Sequence, residues 1–284
     1  MKLATVPEMQ EMADQVRRDI LRMVHAVQSG HPGGSMGCTE FFVSLYFNHL
    51  RHDPATWTMD GKDQDLFFLS NGHISPVWYS VLARTGYFPV GELATFRKIN
   101  SRLQGHPGTK EALPGVRVAS GSLGQGMSVA IGAALAKKLN GDKHIVYSLH
   151  GDGELQEGQI WEAVIYAAAK KVDNMICTID RNMQQIDGPT EKVMPLGDIR
   201  PKMEAFGWLV LEMNGHDYVE VLNTLDTARR ATYRGKPVCI VMATDMGRGV
   251  DFMQGTHEWH GKAPNDEQFA RAMAQLPVTR FLDY

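Results

Sequence analysis

Five short apolar runs limit what this 284-residue chain can fold into: LFFL (66–69), HIVYSL (144–149), MICTI (175–179), WLVLEM (208–213) and PVCIVMAT (237–244). They are rich in branched and aromatic side chains and lack strict polar alternation, the pattern of strands buried on both faces. Helix-like segments near 122–139, 158–171 and 217–233 fall between them. Strands alternating with helices imply an α/β fold, a mostly parallel central sheet with helices on both faces. In such sheets ligands sit outside the carboxyl ends of the strands.

No repeat, low-complexity linker or composition break divides the chain, so the reading is one domain over residues 1–284. Met9, Met12, Val16, Ile20, Met23 and Val27 recur at helical spacing, predicting a helix that ends at Ser29-Gly30. A second apolar stretch, TEFFVSLYFNHL (39–50), is expected to start on Thr39 as its cap. Cys38, Cys177 and Cys239 lie far apart with no CxxC pair, which points to buried thiols in a reducing compartment. A formal charge of -3 without a long basic run argues against nucleic acid or a membrane surface as the main partner. No signal-peptide layout opens the sequence, and no apolar stretch reaches the ~18 residues of a membrane span. A cytoplasmic location is expected.

The segments SGHPGGSMG, SNGHIS, QGHPGT, SGSLGQG, HGDGE and GTHEWHG all fall in connections. Ordinary turns would account for their glycines but not for the histidines beside them. Asp152, in the GDG after HIVYSL, and Asn182, in DRN after MICTI, would emerge at the same sheet edge. Both offer hard oxygen donors suited to magnesium or calcium. Two side chains are too few for a complete cage, so a cofactor diphosphate is expected to supply further oxygens. SGSLGQG fits beside it, because backbone N–H groups at a glycine-rich helix start attract anions.

GDGELQEG and DRNMQQIDGPT, with SGHPGGSMG, FFLSNGH, GHPG, SGSLGQG and THEWHGKAP in that order, resemble the thiamine-diphosphate-binding half of transketolase over nearly the whole chain. The resemblance implies thiamine diphosphate with Mg2+ or Ca2+ as cofactors. It implies Asp152, Asn182 and the backbone carbonyl of Gln184 as metal ligands, and Gly121 and Gly153 as close approaches to the cofactor. Leu123 and Ile186 match apolar residues that pack on its rings. His73 and His260 are expected at the diphosphate and substrate, and His31 and His106 along the sugar channel. His31, His106 and His260 are therefore the expected catalytic residues, since imidazole can donate to a hydroxyl or exchange a proton near neutral pH. His257 is the competitor for the His260 role. Glu157 matches a glutamate near the subunit boundary of the family, and also suits a first-turn carboxylate facing the helix dipole. Trp161 is expected to pack.

The implied activity is transfer of a two-carbon ketol unit from a ketose, or ketose phosphate, to an aldose. Thiamine catalysis also needs a carboxylic acid at the aminopyrimidine ring, and no motif here supplies it. In transketolase that glutamate, an aromatic stacking partner and most phosphate-gripping arginines belong to a pyrimidine-binding domain. Either this is a shortened chain or that domain is a separate polypeptide. The closing segment PNDEQFARAMAQLPVTRFLDY favours a split enzyme, expected as an α2β2 heterotetramer with a C-terminal transketolase subunit. HPGGSMG and SGSLGQG stand where the family pattern has HPGAPMG and TGPLGQG, so donor identity stays open. Alternatives are the first component of 2-oxoacid dehydrogenases, a deoxyxylulose-phosphate-synthase-like subunit, or a noncatalytic thiamine-diphosphate-binding module.

Overall fold

The computed structural model describes residues 5–284. Its center is a five-stranded parallel sheet of β1 (Leu66–Leu69), β2 (Val146–Gly151), β3 (Met175–Arg181), β6 (Leu209–Asn214) and β7 (Val238–Ala243), in the spatial order β1-β2-β3-β7-β6. All five apolar runs form strands. A hairpin of β4 (Gln184–Gln185) and β5 (Gly188–Pro189) follows β3.

Successive side chains of a strand point to opposite faces, and β1 divides accordingly. Phe67 and Leu69 join one buried cluster, Leu66 and Phe68 the other. The first face is covered by α1 (Val6–Ala26), α2 (Pro32–Gly37), α3 (Thr39–Ser44) and α4 (Ser75–Thr85). The second is covered by α5 (Gln125–Leu139) and α6 (Gly158–Ala169). After the short α7 (Thr190–Val193), α8 (Ile199–Ala205) joins the second face, while α9 (Tyr218–Ala231) and α10 (Asp266–Gln275) return to the first.

The first helix begins earlier than its apolar spacing predicts, because Thr5 and Glu8 form a capping box and Pro7 fits the first turn. Thr39 is not a cap. SGHPGGSMG, read as a connection, contains α2, and the Thr39 hydroxyl bonds back to the Ser35 carbonyl at 3.1 Å. The glycines of α2 permit contacts no side chain would: a Cβ on Gly33 would lie 2.5 Å from Met246 Cγ and 2.8 Å from the Trp259 carbonyl. This packing seats His31 at the helix start. All three cysteines are buried and free. Among the described residues no helix is long and apolar enough to cross a membrane.

Candidate active site

The loops after β1, β2 and β3 meet the segment before α5 and the turn near residue 260 around a cavity of about 310 Å³. Its lining includes every residue singled out from the sequence: His31, His73, His106, Gly121, Leu123, Asp152, Gly153, Glu157, Asn182, Gln184, Ile186 and His260. These positions come from distant parts of the chain, and the parallel sheet is what gathers them at one edge.

Asp152 follows β2 and Asn182 follows β3. The strands are adjacent, with Gly151 level with Asp180. Asp152 is 1% exposed. One of its oxygens accepts the Met183 N–H at 2.7 Å and the other accepts the Gly153 N–H at 2.8 Å. Asn182 donates its amide to Asp180 at 2.7 Å, while its oxygen accepts the Gln184 N–H at 2.9 Å. Between Asn182 and Gln184, Met183 has a left-handed backbone, φ 63°, costly for a residue with a long side chain. The bonds from Met183 N–H to Asp152 and from Thr190 N–H to the Met183 carbonyl, 3.0 Å, hold that turn.

Electrostatically the pair of strand tips invites a cation. Burial, reinforced by the neighboring Asp180, pushes Asp152 up to about 7, against the opposing Met183 N–H, Arg181 and Gly153 N–H. Burial raises Asp180 as well. The Arg181 guanidinium is 3.8 Å from Asp152 and also bonds Glu191, so it compensates only in part. Asp180 escaped sequence reading, although its place two residues before Asn182 at a strand end was a usable signal. Among the described residues, the cluster of acidic and histidine side chains with metal-ligand spacing is Asp63, Asp142 and His144. It precedes β1 and β2 at the opposite sheet edge, and Lys137 already pairs with Asp142 at 2.6 Å.

The histidines form one group. His31 lies 5.1 Å from His73, 6.0 Å from His106 and 5.6 Å from His260 between ring centroids, and His73 lies 4.9 Å from His260. Burial lowers all four below the ordinary histidine range, and mutual proximity or the Arg97 charge adds to it; His31 falls to about 3. They are neutral imidazoles at neutral pH. His260, not His257, joins the ring contacts. Nδ1 of His31, Nδ1 of His260, Oδ1 of Asn71 and Oγ of Ser120 are buried without a partner. Such orphans are expensive unless a ligand or water meets them.

At the loop before α5, Gly121 has φ 120°, and a Cβ there would lie 2.7 Å from the His106 ring. Glycine is required on both counts. Leu123 is partly buried, while Ile186 is 61% exposed, an apolar side chain at the cavity rim. Glu157 is exposed and precedes α6 without a side-chain capping bond. Trp161 packs, donating to the Leu155 carbonyl at 2.8 Å and leaning on Phe206.

Residues 8–280 match the model of the transketolase thiamine diphosphate binding domain. One of the two subunits of an apulose-4-phosphate transketolase from Actinobacillus succinogenes is 37% identical over 270 residues, 95% of this chain and 96% of that protein. A 6-deoxy-6-sulfo-D-fructose transketolase subunit from a Clostridium species is 35% identical over 95% of this chain and 96% of its own length. The solved transketolase of Leishmania mexicana superposes with a TM-score of 0.88 at 30% identity, covering 98% of this chain. The chain spans 42% of that protein's length.

Proposed function

This chain belongs to the transketolase thiamine diphosphate binding family, and from that premise we propose that it is the cofactor-binding subunit of a two-chain transketolase. The reaction is transfer of a two-carbon ketol unit from a ketose, or ketose phosphate, to an aldose. One observation carries the reading: Asp152 and Asn182, on neighboring strand tips, share a cavity with four neutral histidines. The two-chain arrangement is supported by subunit-named relatives of nearly equal length.

Asp152, the Asn182 oxygen and the Gln184 carbonyl would hold Mg2+, or Ca2+ in its place, with a diphosphate completing the coordination. The fit rests on the buried carboxylate pair and the orphaned polar atoms around it. Gly121 and Gly153 allow close backbone approach, Leu123 and Ile186 offer apolar cover, and His73 and His260 face the diphosphate side. When bound, thiamine diphosphate supplies a carbon center able to carry the charge released by carbon–carbon cleavage.

His31 and His106 would orient the sugar hydroxyls, and His106 with His260 would help take up the hydroxyl proton. Being neutral, each has a ring nitrogen able to accept it. Glu157, exposed at the mouth, would face a subunit boundary. A partner carrying the pyrimidine-binding half would complete the site. Leu139, Ile165 and Tyr166, 88%, 51% and 47% exposed on α5 and α6, offer an apolar face that suits an α2β2 assembly. A cytoplasmic setting fits such an enzyme. The test is reconstitution: this chain mixed with its pyrimidine-binding partner should catalyze ketol transfer that neither chain catalyzes alone. Full activity from this chain by itself would sink the two-chain reading.

A further inference from the structure

Glu154 stands two residues after Asp152, yet it points into the protein and is 1% exposed. One of its oxygens accepts the Gly124 N–H at 2.8 Å and the Ser70 hydroxyl. The other accepts the Gly151 N–H at 3.2 Å. His150 Nδ1 lies 3.6 Å from the first oxygen. Burial opposes a charge on His150, but Cys177 and the Glu154 carboxylate outweigh it, so the imidazole is held above the ordinary histidine range. Ser70 Oγ in turn accepts the Gly126 N–H at 3.1 Å.

These bonds join three loops: the one after β1, the glycine-rich segment before α5, and the turn after β2. Two of the first amides of α5, where the sequence predicts an external anion, are already taken by Glu154 and Ser70. The positive end of that helix faces an internal carboxylate. The loops also touch directly, since a Cβ on Gly72 would lie 2.5 Å from Ser120 Oγ and one on Gly126 would overlap Ser70.

We propose that Glu154 is a positioning residue: with Ser70 it clasps these three loops into one cradle, so that diphosphate affinity depends on a carboxylate bonded only within the protein. The proposal rests on the cofactor reading above. Its physical basis is pre-organization, because a buried charged acceptor shared by three loops removes freedom that a ligand would otherwise have to order. Glu154→Gln keeps an oxygen for Gly124 and Ser70 but sets an amide N–H against the Gly151 N–H, which displaces the loop bearing Asp152.

The test titrates thiamine diphosphate at saturating Mg2+ into the full-length chain by calorimetry, for wild type, Glu154→Gln, Ser70→Ala and the double variant, with melting of each ligand-free protein alongside. Glu154→Gln is expected to weaken binding about tenfold or more, the scale of one lost charge-assisted hydrogen bond. Ser70→Ala should weaken it less, and the double variant no more than Glu154→Gln, because the two side chains form one clasp. Unchanged affinity with a lowered ligand-free melting temperature would reduce Glu154 to a stabilizing residue and overturn the proposal, as would additive effects. If Glu154→Gln does not fold, Ser70→Ala decides: unchanged affinity overturns the clasp, weakened affinity supports it. Failure of the wild type to bind would overturn the cofactor reading itself.

Discussion

The Met183 amide donates to the Asp152 carboxylate at 2.7 Å, joining the turn that carries Asn182 to the turn that carries Asp152. Neither strand tip can move without the other. Paired oxygen donors are thereby presented as one rigid unit, at the cost of a left-handed Met183. Met183→Gly should leave stability against urea within about 1 kcal/mol of wild type, because relief of that backbone strain and the greater freedom of the unfolded glycine oppose each other. A loss of several kcal/mol would show that the side chain, 41% exposed, matters more than its backbone.

The four histidines should be silent in a titration around neutrality. Their native values lie below the ordinary one, so each stays uncharged until the pH falls well under 6.5. NMR of the ring protons should show His31 unprotonated at pH 5, and a midpoint near 6.5 would contradict the burial argument. Arg97→Met removes a cation that depresses His31 and His106, so both should then titrate at higher pH.

The strands were legible because parallel strands buried on both faces are almost continuously apolar. Asp152, Asn182 and the histidines were legible because each follows such a run or sits in a glycine-rich connection. Helix α2 was not, since PGGSMG has poor intrinsic helix propensity and is helical because its glycines let Met246 and Asp245 pack against it. Glu154 was equally hidden: along the chain it is one more acid in a turn, and only the fold shows that Ser70, 84 residues away, donates to it.

Away from the cavity, Asp19 is a buried hub. It accepts from Arg84 at 2.6 and 2.8 Å, from Ser80 at 2.6 Å and from Gln15 at 3.1 Å. Asp19→Ala leaves the Arg84 guanidinium buried and uncompensated, a loss of about 3–5 kcal/mol in chemical denaturation. A loss under about 1 kcal/mol would mean that the arginine finds water.

Acid should weaken the packing of α1 on α3. Burial alone would raise Glu40, but Arg17 at 2.5 Å, with His216, holds it down at about 2. A carboxylate depressed in the native state gives stability that is present above its unfolded value and lost as pH falls toward the native one. Urea stability should therefore decline from about pH 4.5 toward 2. Glu40→Gln should be weaker at neutral pH and show a flatter acid decline; an unchanged slope would exclude the pair as a cause.

Assembly gives a separate check. Ile165→Asp places a charge on the apolar face of α6 without touching the core. It should leave the melting temperature nearly unchanged while lowering the mass of the reconstituted complex in light scattering. Unaltered mass would remove that face from the interface.

The most direct measurement is calorimetric titration of thiamine diphosphate into wild type and Asp152→Ala, each with Mg2+ and with chelator. Wild type should bind only with the metal, and Asp152→Ala should not bind at ordinary magnesium concentrations. Equal, metal-independent binding by both proteins would contradict the assignment of Asp152 and its strand-tip neighbor Asn182 to a metal-bridged diphosphate.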